Sequence, residues 1–291
     1  MRAAFVVNPA AGRGRALRVW KSLEPVARAS GNDITVHYTT APGEATRLAA
    51  EAAAGGAERV IALGGDGTLY EAVNGLVGTK ASFGVIPGGT GNDFCRILRI
   101  PKDPVGALHV ALGPNTLTID LGRAWDRYFL NSAGIGFDAA VCQATNAVPK
   151  YFGGTIPYLV GVTKVLLQFR PLPVTLEVDG VAVTLPITLI AVANGQYYGG
   201  GMHIAPEARF DDGLFDIIKA TDLTKPQLLQ AVPRLYSGTH LSLPKVSQSR
   251  GRRVVVTSDH PIPVHLDGEV AGTLPVTLEV LPAALQVAIP V

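Results

Sequence analysis

Short apolar runs alternate with amphipathic stretches along the first third of the chain. The run from Val60 to Leu63 is short and β-branched at its start, which is typical of a buried parallel strand. Between the runs, apolar residues recur at helical spacing. We predict strands at 3–7, 33–38, 60–63 and 83–86, and helices at 16–29, 43–54 and after the glycine turn at 64–67. This alternation predicts an α/β domain with a parallel sheet, in which ligands sit at the carboxyl ends of the strands.

The pattern changes near Asn115 to an alternation of apolar and polar residues with a period of two. Turn pairs such as Asp179-Gly180 separate the runs. We predict strands at 174–178, 181–185, 189–193, 253–257, 264–266 and 276–280, and helices near 157–169 and 225–236. This pattern predicts an all-β, sandwich-like second domain. The predicted domains are 1–118 and 119–291, and the last run, 285–289, could return to the first domain.

Composition restricts the class of protein. Of the 291 residues, 47% are hydrophobic and 16% charged, which allows a large core and argues against disorder. The net charge of +2 and the absence of a long basic run give no support for nucleic-acid binding. Cys95 and Cys142 lack metal-ligand spacing, so we expect thiols in a reducing cytoplasm. A homodimer through edge strands is compatible with the sequence, although nothing specifies it.

The most hydrophobic stretch in the later part of the chain, 151–169, is interrupted by glycine and proline residues and contains Lys164. We therefore reject a transmembrane helix there. A helix that lines the core or a cleft is the first interpretation, and a lip facing a membrane is the alternative.

The stretch Gly64-Gly65-Asp66-Gly67-Thr68 joins the third predicted strand to a helix. Its glycines allow close approach of a ligand, and backbone N–H groups before a helix suit a phosphate. Asp66 would repel a phosphate unless a cation bridges them or the carboxylate orients a reacting group. The loop therefore indicates metal-assisted phosphoryl transfer, although glycine turns also join strands to helices in unrelated α/β proteins.

Two further loops follow strands on the same predicted edge, at 8–14 and 87–94. In the first loop Arg13 and Arg15 could bind phosphate or form a solvated turn. In the second loop Thr90 is well placed for a phosphate or ribose oxygen. Thr39, which ends another strand, could contact a nucleotide or cap the next helix. Three special loops on one edge make a nucleotide site the favoured interpretation.

The second domain contributes two acidic turns. Asp211-Asp212-Gly213 could hold a hard cation such as Mg²⁺, or simply open the strand that begins at Phe215. His265-Leu266-Asp267-Gly268-Glu269 could be a plain hairpin, but Glu269 could also accept a proton from a substrate hydroxyl, with Asp267 nearby. His203 and His265 have no predicted role beyond packing or local hydrogen bonds.

Together these motifs resemble the diacylglycerol kinase catalytic-domain family, which includes bacterial soluble lipid kinases and sphingosine and ceramide kinases. The resemblance covers most of the chain. The motifs that carry it are Asn8-Pro9-Ala10-Ala11-Gly12, Gly64 to Thr68 with Glu71 and Asn74-Gly75, Pro87 to Phe94, Ile119-Asp120-Leu121-Gly122, Phe129-Leu130-Asn131, Gly136-Phe137-Asp138-Ala139, Gly199-Gly200-Gly201-Met202, Asp211 to Leu214, and Asp267-Gly268-Glu269.

The resemblance implies an ATP- and Mg²⁺-dependent kinase that phosphorylates a lipid hydroxyl at the inner membrane surface. Glu269 would be the proton acceptor, Asp267 would support it, and Asp66 and Asp120 would join the acidic network around phosphates and metal. The nucleotide site would comprise Asn8, Pro9, Ala10, Ala11, Gly12, Thr39, Gly64, Gly65, Asp66, Gly67, Thr68, Leu69, Tyr70 and Thr90. A structural Mg²⁺ site would comprise Asp212 and the backbone carbonyls of Arg209 and Leu214.

This sequence departs from the family pattern at Tyr70, where bacterial members often have Asn, and at Arg13. Because of Tyr70, the nucleotide contact that the family makes at this position is in question, but the reaction class is not. An NAD kinase-like enzyme shares the Gly-Gly-Asp-Gly-Thr loop and is one alternative. A non-catalytic lipid-binding or regulatory protein is the other.

Overall fold

The structure, a computed structural model, describes residues 1–146, 162–163 and 165–291. Most of the predicted helix at 157–169, and most of the stretch proposed as a core helix or membrane-facing lip, lies outside these residues. Within the described residues, no helix is both long and apolar enough to cross a membrane.

The N-terminal part alternates strands and helices as the sequence predicts. Its elements are β1 (Arg2–Val7), α1 (Ala11–Ala29), β2 (Asp33–Tyr38), α2 (Glu44–Ala54), β3 (Arg59–Gly64), α3 (Asp66–Leu76), β4 (Ser82–Pro87), α4 (Asp93–Ile97) and α5 (Pro104–Leu112). The four strands pair in parallel in the order β2-β1-β3-β4. The loops that follow β1, β3 and β4 therefore leave the sheet at the same edge.

The C-terminal part is dominated by antiparallel strands. Its elements are β5 (Thr116–Ala124), β6 (Arg127–Phe129), β7 (Ser132–Gly136), α6 (Phe137–Asn146), β8 (Leu172–Val178), β9 (Val181–Ala193), β10 (Phe215–Thr221), α7 (Lys225–Ser237), a 3₁₀ turn (His240–Ser242), β11 (Val246–Gly251), β12 (Arg253–Thr257), β13 (Pro263–Leu266), β14 (Glu269–Thr273) and β15 (Val276–Ala288). Helix α6 lies in a stretch where the sequence predicted no helix, and α7 confirms the helix predicted at 225–236.

Two pairs of predicted strands are each one longer strand. Strand β9 covers both 181–185 and 189–193, with Pro186 opposite Pro173, because its first half pairs with β8 and its second half with β7 and β10. Strand β15 likewise runs through the predicted gap after residue 280, with an irregularity between Leu281 and Leu285. The prediction of separate strands at 181–185 and 189–193 was therefore wrong, as was the prediction of separate strands at 276–280 and 285–289.

Strand β15 joins the two parts of the molecule. Its beginning pairs with β12 and β5, and near its end Val287 pairs in parallel with Phe83 of β4. One sheet therefore continues through both halves of the chain. Two main apolar clusters lie on this framework, and α3 contributes to both, with Leu69 in the N-terminal cluster and Tyr70 in the C-terminal one.

Helix α3 also packs closely against α2. A Cβ on Gly75 would lie 2.2 Å from the carbonyl oxygen of Thr46 and 3.0 Å from the backbone nitrogen of Ala50. The Glu71 carboxylate accepts hydrogen bonds from the N–H groups of Gly43 and Ala45 at 2.8 and 3.1 Å, and so caps the start of α2. The position of α3 therefore depends on a helix contact that only glycine permits.

We predict that Gly75→Ala lowers the free energy of unfolding by about 1–3 kcal/mol, because the added methyl group overpacks against the α2 backbone. In an open helix the same change would stabilise by roughly 1 kcal/mol. Urea unfolding followed by circular dichroism measures the difference. A variant as stable as the parent, or more so, would contradict the close packing of α2 and α3.

Candidate active site

Three glycine-containing loops meet at the carboxyl edge of the parallel strands. A Cβ on Gly12 would lie 2.3 Å from the carbonyl oxygen of Gly88, and one on Gly89 would lie 2.4 Å from the Cα of Gly65. The loops after β1, β3 and β4 are thus packed backbone against backbone, which side chains would prevent. Residues 12–14 all have a left-handed conformation, which forms the tight turn of the first loop.

The N-terminus of α3 opens into this junction. No side chain caps it, so N–H groups of its first turn remain suited to an anion. Asn8 ties the first loop to this turn, since its Nδ2 donates to Thr68 Oγ1 at 2.9 Å and its Oδ1 accepts from the Ala10 N–H at 3.1 Å. The junction therefore offers fixed backbone donors, as a phosphate site requires.

Asp66 organises the neighbouring loop. Its two carboxylate oxygens accept the N–H groups of Asn92 and Asp93 at 2.7 and 2.8 Å, at the start of α4. Both oxygens are thus engaged with backbone donors. In this structure the carboxylate fixes the loop that carries Thr90, and it contributes negative charge to the junction.

Asp93 continues the connection into the second domain. Its side chain is buried, its Oδ2 accepts the Gly200 N–H at 2.6 Å, and its Oδ1 pairs with Arg96. Burial raises the pKa of Asp93, and the charge of Asp66 adds to the rise, while the Gly200 N–H and Arg96 oppose it. The link from Asp66 through Asp93 brings the loop at 199–201 to the edge of the junction.

Glu269 faces the junction from the opposite side. It is exposed at the start of β14, and its Oε1 lies 3.3 Å from the position that a Cβ on Gly67 would occupy. The structure therefore brings together the two motifs that were predicted to bind phosphate and to accept a proton. A hydroxyl substrate between Glu269 and a phosphate on α3 would have a base within reach.

Asp267 holds the backbone beneath Glu269. Its carboxylate accepts the N–H groups of Leu130, Asn131 and Ser132 at 2.7, 2.8 and 3.0 Å. Burial raises the pKa of Asp267 to about 6, with the charge of Asp66 adding to the rise and the three N–H donors opposing it. These contacts restrain the turn that carries Glu269, and the supporting role that the resemblance implies for Asp267 stays a prediction.

His265 fixes the same hairpin from within. It is 1% exposed, its Nδ1 accepts the Gly268 N–H at 3.2 Å, and its Nε2 lies 3.1 Å from Asp138 Oδ2. Because Nδ1 acts as an acceptor, the ring proton is on Nε2 and is donated to Asp138. The sequence predicted only a local hydrogen bond for His265. Asp138 belonged to a family motif without an assigned role, and only the fold shows that the two side chains meet.

Several predicted nucleotide residues are buried rather than open to the junction. Leu69 is 1% exposed and Tyr70 is 8% exposed, each within an apolar cluster. Burial raises the pKa of Tyr70, and the positive charge of Arg127 opposes that rise. Thr39 is also buried, whereas Thr90 is exposed. Side chains of Leu69 and Tyr70 thus have little surface left for a nucleotide.

The predicted metal turn lies between β9 and β10. Asp212 Oδ1 accepts the Leu214 N–H at 3.1 Å, and its Oδ2 pairs with Arg250. Asp120 braces the turn, since its Oδ2 accepts the Gly213 N–H at 2.7 Å and its Oδ1 accepts the Ala283 N–H at 2.8 Å. Within the described parts of the chain, no three His, Cys, Asp or Glu side chains are grouped for metal binding.

Comparison with known families accounts for this arrangement. Residues 2–124 match the Diacylglycerol kinase catalytic domain, and residues 131–289 match the YegS C-terminal NAD kinase beta sandwich-like domain. A Mycobacterium tuberculosis protein named diacylglycerol kinase is 35% identical over 289 residues, which cover 97% of this chain and 93% of that relative. The chain belongs to the diacylglycerol kinase family.

Further relatives support this membership. A Chromohalobacter salexigens protein named "Probable lipid kinase YegS-like" is 34% identical, with 90% of this chain and 86% of the relative covered. A crystal structure of a diacylglycerol kinase from Bacillus anthracis superimposes with a TM-score of 0.81 at 26% identity, covering 99% of this chain and 97% of that one. The resemblance and fold class predicted from the sequence are therefore confirmed, and this diacylglycerol kinase family member is a phosphotransferase with an alcohol acceptor.

We predict that Gly67→Ala lowers kcat by about tenfold, because the new methyl group lies in tight contact with the Glu269 carboxylate and displaces it. Thermal stability should not fall, since alanine is accepted in a helix better than glycine. Steady-state kinetics and thermal unfolding test the two parts. Gly75→Ala, in the same helix, is the matched control that lowers stability instead. An unchanged kcat would show that the reaction does not depend on a Glu269 carboxylate placed beside Gly67.

We predict that His265→Asn retains most of kcat and that His265→Gln loses about tenfold. The asparagine oxygen lies close to where Nδ1 lay and accepts the Gly268 N–H, whereas the longer glutamine side chain reaches Asp138 but leaves that N–H unpaired. Both variants perturb the same buried site, so thermal unfolding corrects for general destabilisation. Equal kcat values would mean that the Gly268 contact does not position Glu269.

Proposed function

We propose that this chain is an ATP- and Mg²⁺-dependent lipid kinase that transfers the γ-phosphate of ATP to a hydroxyl of a diacylglycerol-like lipid. The placement of Glu269 opposite the uncapped N-terminus of α3 carries the proposal. The names of the relatives, diacylglycerol kinase and YegS-like lipid kinase, support the acceptor class. We propose peripheral membrane association in the cytoplasm for the same reason.

In the proposed reaction, the phosphates of ATP bind the N–H groups at the start of α3 and in the loop beginning at Asn8. Glu269 accepts the proton of the lipid hydroxyl as the hydroxyl oxygen bonds to the γ-phosphorus. The bond from that phosphorus to the β,γ-bridging oxygen breaks, and ADP leaves. Asp267 and His265 hold the turn that carries Glu269, so its carboxylate is positioned before the substrate arrives.

An apolar cavity of about 330 Å³ supports a lipid acceptor. Its lining includes Gly136, Ala140, Leu172, Ile187, Ile262 and Pro263. Strand β13 leads from Pro263 at the cavity to Asp267 at the catalytic turn, a path of about 13 Å at the usual rise per residue. We propose that an acyl chain occupies this cavity while the hydroxyl reaches Glu269.

In this proposal the turn at 209–214 would hold one Mg²⁺ ion through the Asp212 carboxylate and the carbonyls of Arg209 and Leu214, with water as the remainder. Arg250 already neutralises Asp212 in the structure, so the cation competes with a guanidinium. Asp216 also lies 3.4 Å from Arg250, which gives the guanidinium a second partner. The ion in this turn would be structural, whereas a Mg²⁺ ion that accompanies ATP would supply charge neutralisation at the phosphates.

The test of the proposal uses radiolabelled ATP and Mg²⁺ with micellar diacylglycerol, phosphatidylglycerol, ceramide and a sphingoid base, and with soluble NAD. A labelled lipid is the expected product. Label in NAD alone would establish the NAD kinase-like alternative, which shares the β-sandwich of the matched C-terminal domain. ATP binding without transfer to any acceptor would favour either a lipid outside this panel or the non-catalytic alternative.

We predict that Glu269→Gln lowers kcat by about 10²–10⁴-fold and leaves ATP affinity nearly unchanged, since glutamine cannot accept the proton but retains the size of the side chain. Single-turnover kinetics and calorimetric ATP titration measure the two quantities. An equal loss of ATP affinity and of kcat would contradict the assignment of Glu269 as the base.

We predict that Mg²⁺ raises the thermal midpoint of the wild-type chain and that Asp212→Ala lowers this midpoint and removes the response. Arg250→Gln should strengthen the Mg²⁺ response, because it frees Asp212 from its guanidinium partner. Calorimetry with Mg²⁺ and with a chelator makes the comparison. The same response in wild type and Asp212→Ala would exclude the turn as a metal site.

A further inference from the structure

Helix α7 leaves an apolar stripe in water on the surface of the second domain. Leu229, Val232 and Tyr236 are 55%, 38% and 51% exposed, and their spacing of three and four residues places them on one helical face. Ala231 is the one residue of α7 that is fully buried. A surface helix normally turns its large apolar residues inwards, so this exposed stripe is a candidate contact surface.

Both ends of α7 are held in place. At its start, Lys225 Nζ donates to the carbonyl oxygen of Leu167 at 2.6 Å. Near its end, the carbonyl oxygen of Leu235 accepts the His203 N–H at 2.8 Å. The stripe is therefore presented by a fixed helix, and its orientation is set by the fold.

The stripe continues towards the apolar cavity. Leu167 is 65% exposed beside the first turn of α7, and the residues that follow it, Gln168, Phe169 and Arg170, line the cavity. We name Leu167, Leu229, Val232 and Tyr236 the α7 face. A lipid that leaves a bilayer at this face would find the cavity directly beside it.

The charges around the α7 face favour an anionic surface. The segments 165–174 and 223–241 contain Arg170, Lys225 and Arg234 and have no acidic residue. Asp222, just before α7, is paired with Lys245 at 3.4 Å. An apolar stripe on a helix whose charged residues are basic is typical of helices that lie in the interface of anionic membranes.

A second copy of the chain is a weaker occupant. Four half-exposed side chains of at most about 200 Å² each expose roughly 400 Å², about half of what a partner buries in a standard interface. A bilayer needs no matching protein surface.

We propose that the α7 face docks this protein onto an anionic phospholipid bilayer, with Leu229, Val232 and Tyr236 inserted among the acyl chains and the cations at the headgroups. This inference rests on the proposed lipid acceptor, because the docked face would deliver that substrate to the cavity. It assigns α7 a role in binding the membrane, separate from the phosphoryl-transfer site.

The test compares wild type with L229Q/V232Q/Y236Q in flotation with vesicles of phosphatidylcholine and phosphatidylglycerol. The matched control is V181Q/V183Q, which removes two exposed valines, 76% and 46% exposed, from the β8–β9 hairpin. We expect the α7 variant to bind at least tenfold more weakly and the control to bind as wild type does. Circular dichroism and thermal unfolding should show all three folded.

Activity supplies a second readout. The α7 variant should phosphorylate a water-soluble short-chain diacylglycerol at the wild-type rate and lose at least tenfold on diacylglycerol embedded in vesicles. If the wild type phosphorylates no lipid but floats with vesicles through the α7 face, the proposed function fails and the docking surface stands.

Three outcomes would overturn the docking surface. The wild type could fail to bind anionic vesicles, the α7 variant could bind as tightly as wild type, or the α7 variant could change the oligomeric mass in light scattering. The last result would show that the face is an interface between copies of this chain.

Discussion

Hydrogen bonds from backbone N–H groups to a few carboxylates hold the candidate active site together. Asp66 fixes the start of α4, Asp120 fixes the 213 turn and the irregular part of β15, and Asp267 fixes the segment before β7. Each carboxylate restrains backbone that is distant in sequence. Charge-assisted bonds of this kind are short and directional, so they set the loops at which phosphate and hydroxyl would meet.

Glu269 differs from these acids. It is exposed, and its carboxylate lies against the start of α3, where one further methyl group would crowd it. The surrounding structure fixes both partners of that contact. Helix α3 packs tightly against α2 at Gly75, and hydrogen bonds of Asp267 and His265 hold the Glu269 hairpin. Strand β15 ties the halves that carry these groups into one sheet, so Glu269 and the start of α3 share a continuous support.

The sequence predicted what depends on local pattern. Parallel strands and glycine loops could be found because hydrophobic period and positive-φ preference act over a few residues, whereas the set of site residues came from the resemblance of the motifs to the family. The bonds of Asp267 to the amides of 130–132, and of His265 to Asp138, depend on pairing of β13 with β7 and could not be found in that way. Prolines at 186 and 282 lie between runs that the fold continues as single strands. At 186 the pairing with β8 persists, and near 282, where the pairing with β5 is irregular, Asp120 accepts the Ala283 N–H.

The central claim is that the γ-phosphate of ATP would lie at the N-terminus of α3, facing Glu269. A crystal structure with Mg²⁺ and a non-hydrolysable ATP analogue tests it most directly. The account predicts the terminal phosphate on the N–H groups of the first α3 turn, with room for one hydroxyl between it and the Glu269 carboxylate. A terminal phosphate bound elsewhere, or separated from Glu269 by protein, would contradict the proposed transfer of phosphate at the start of α3.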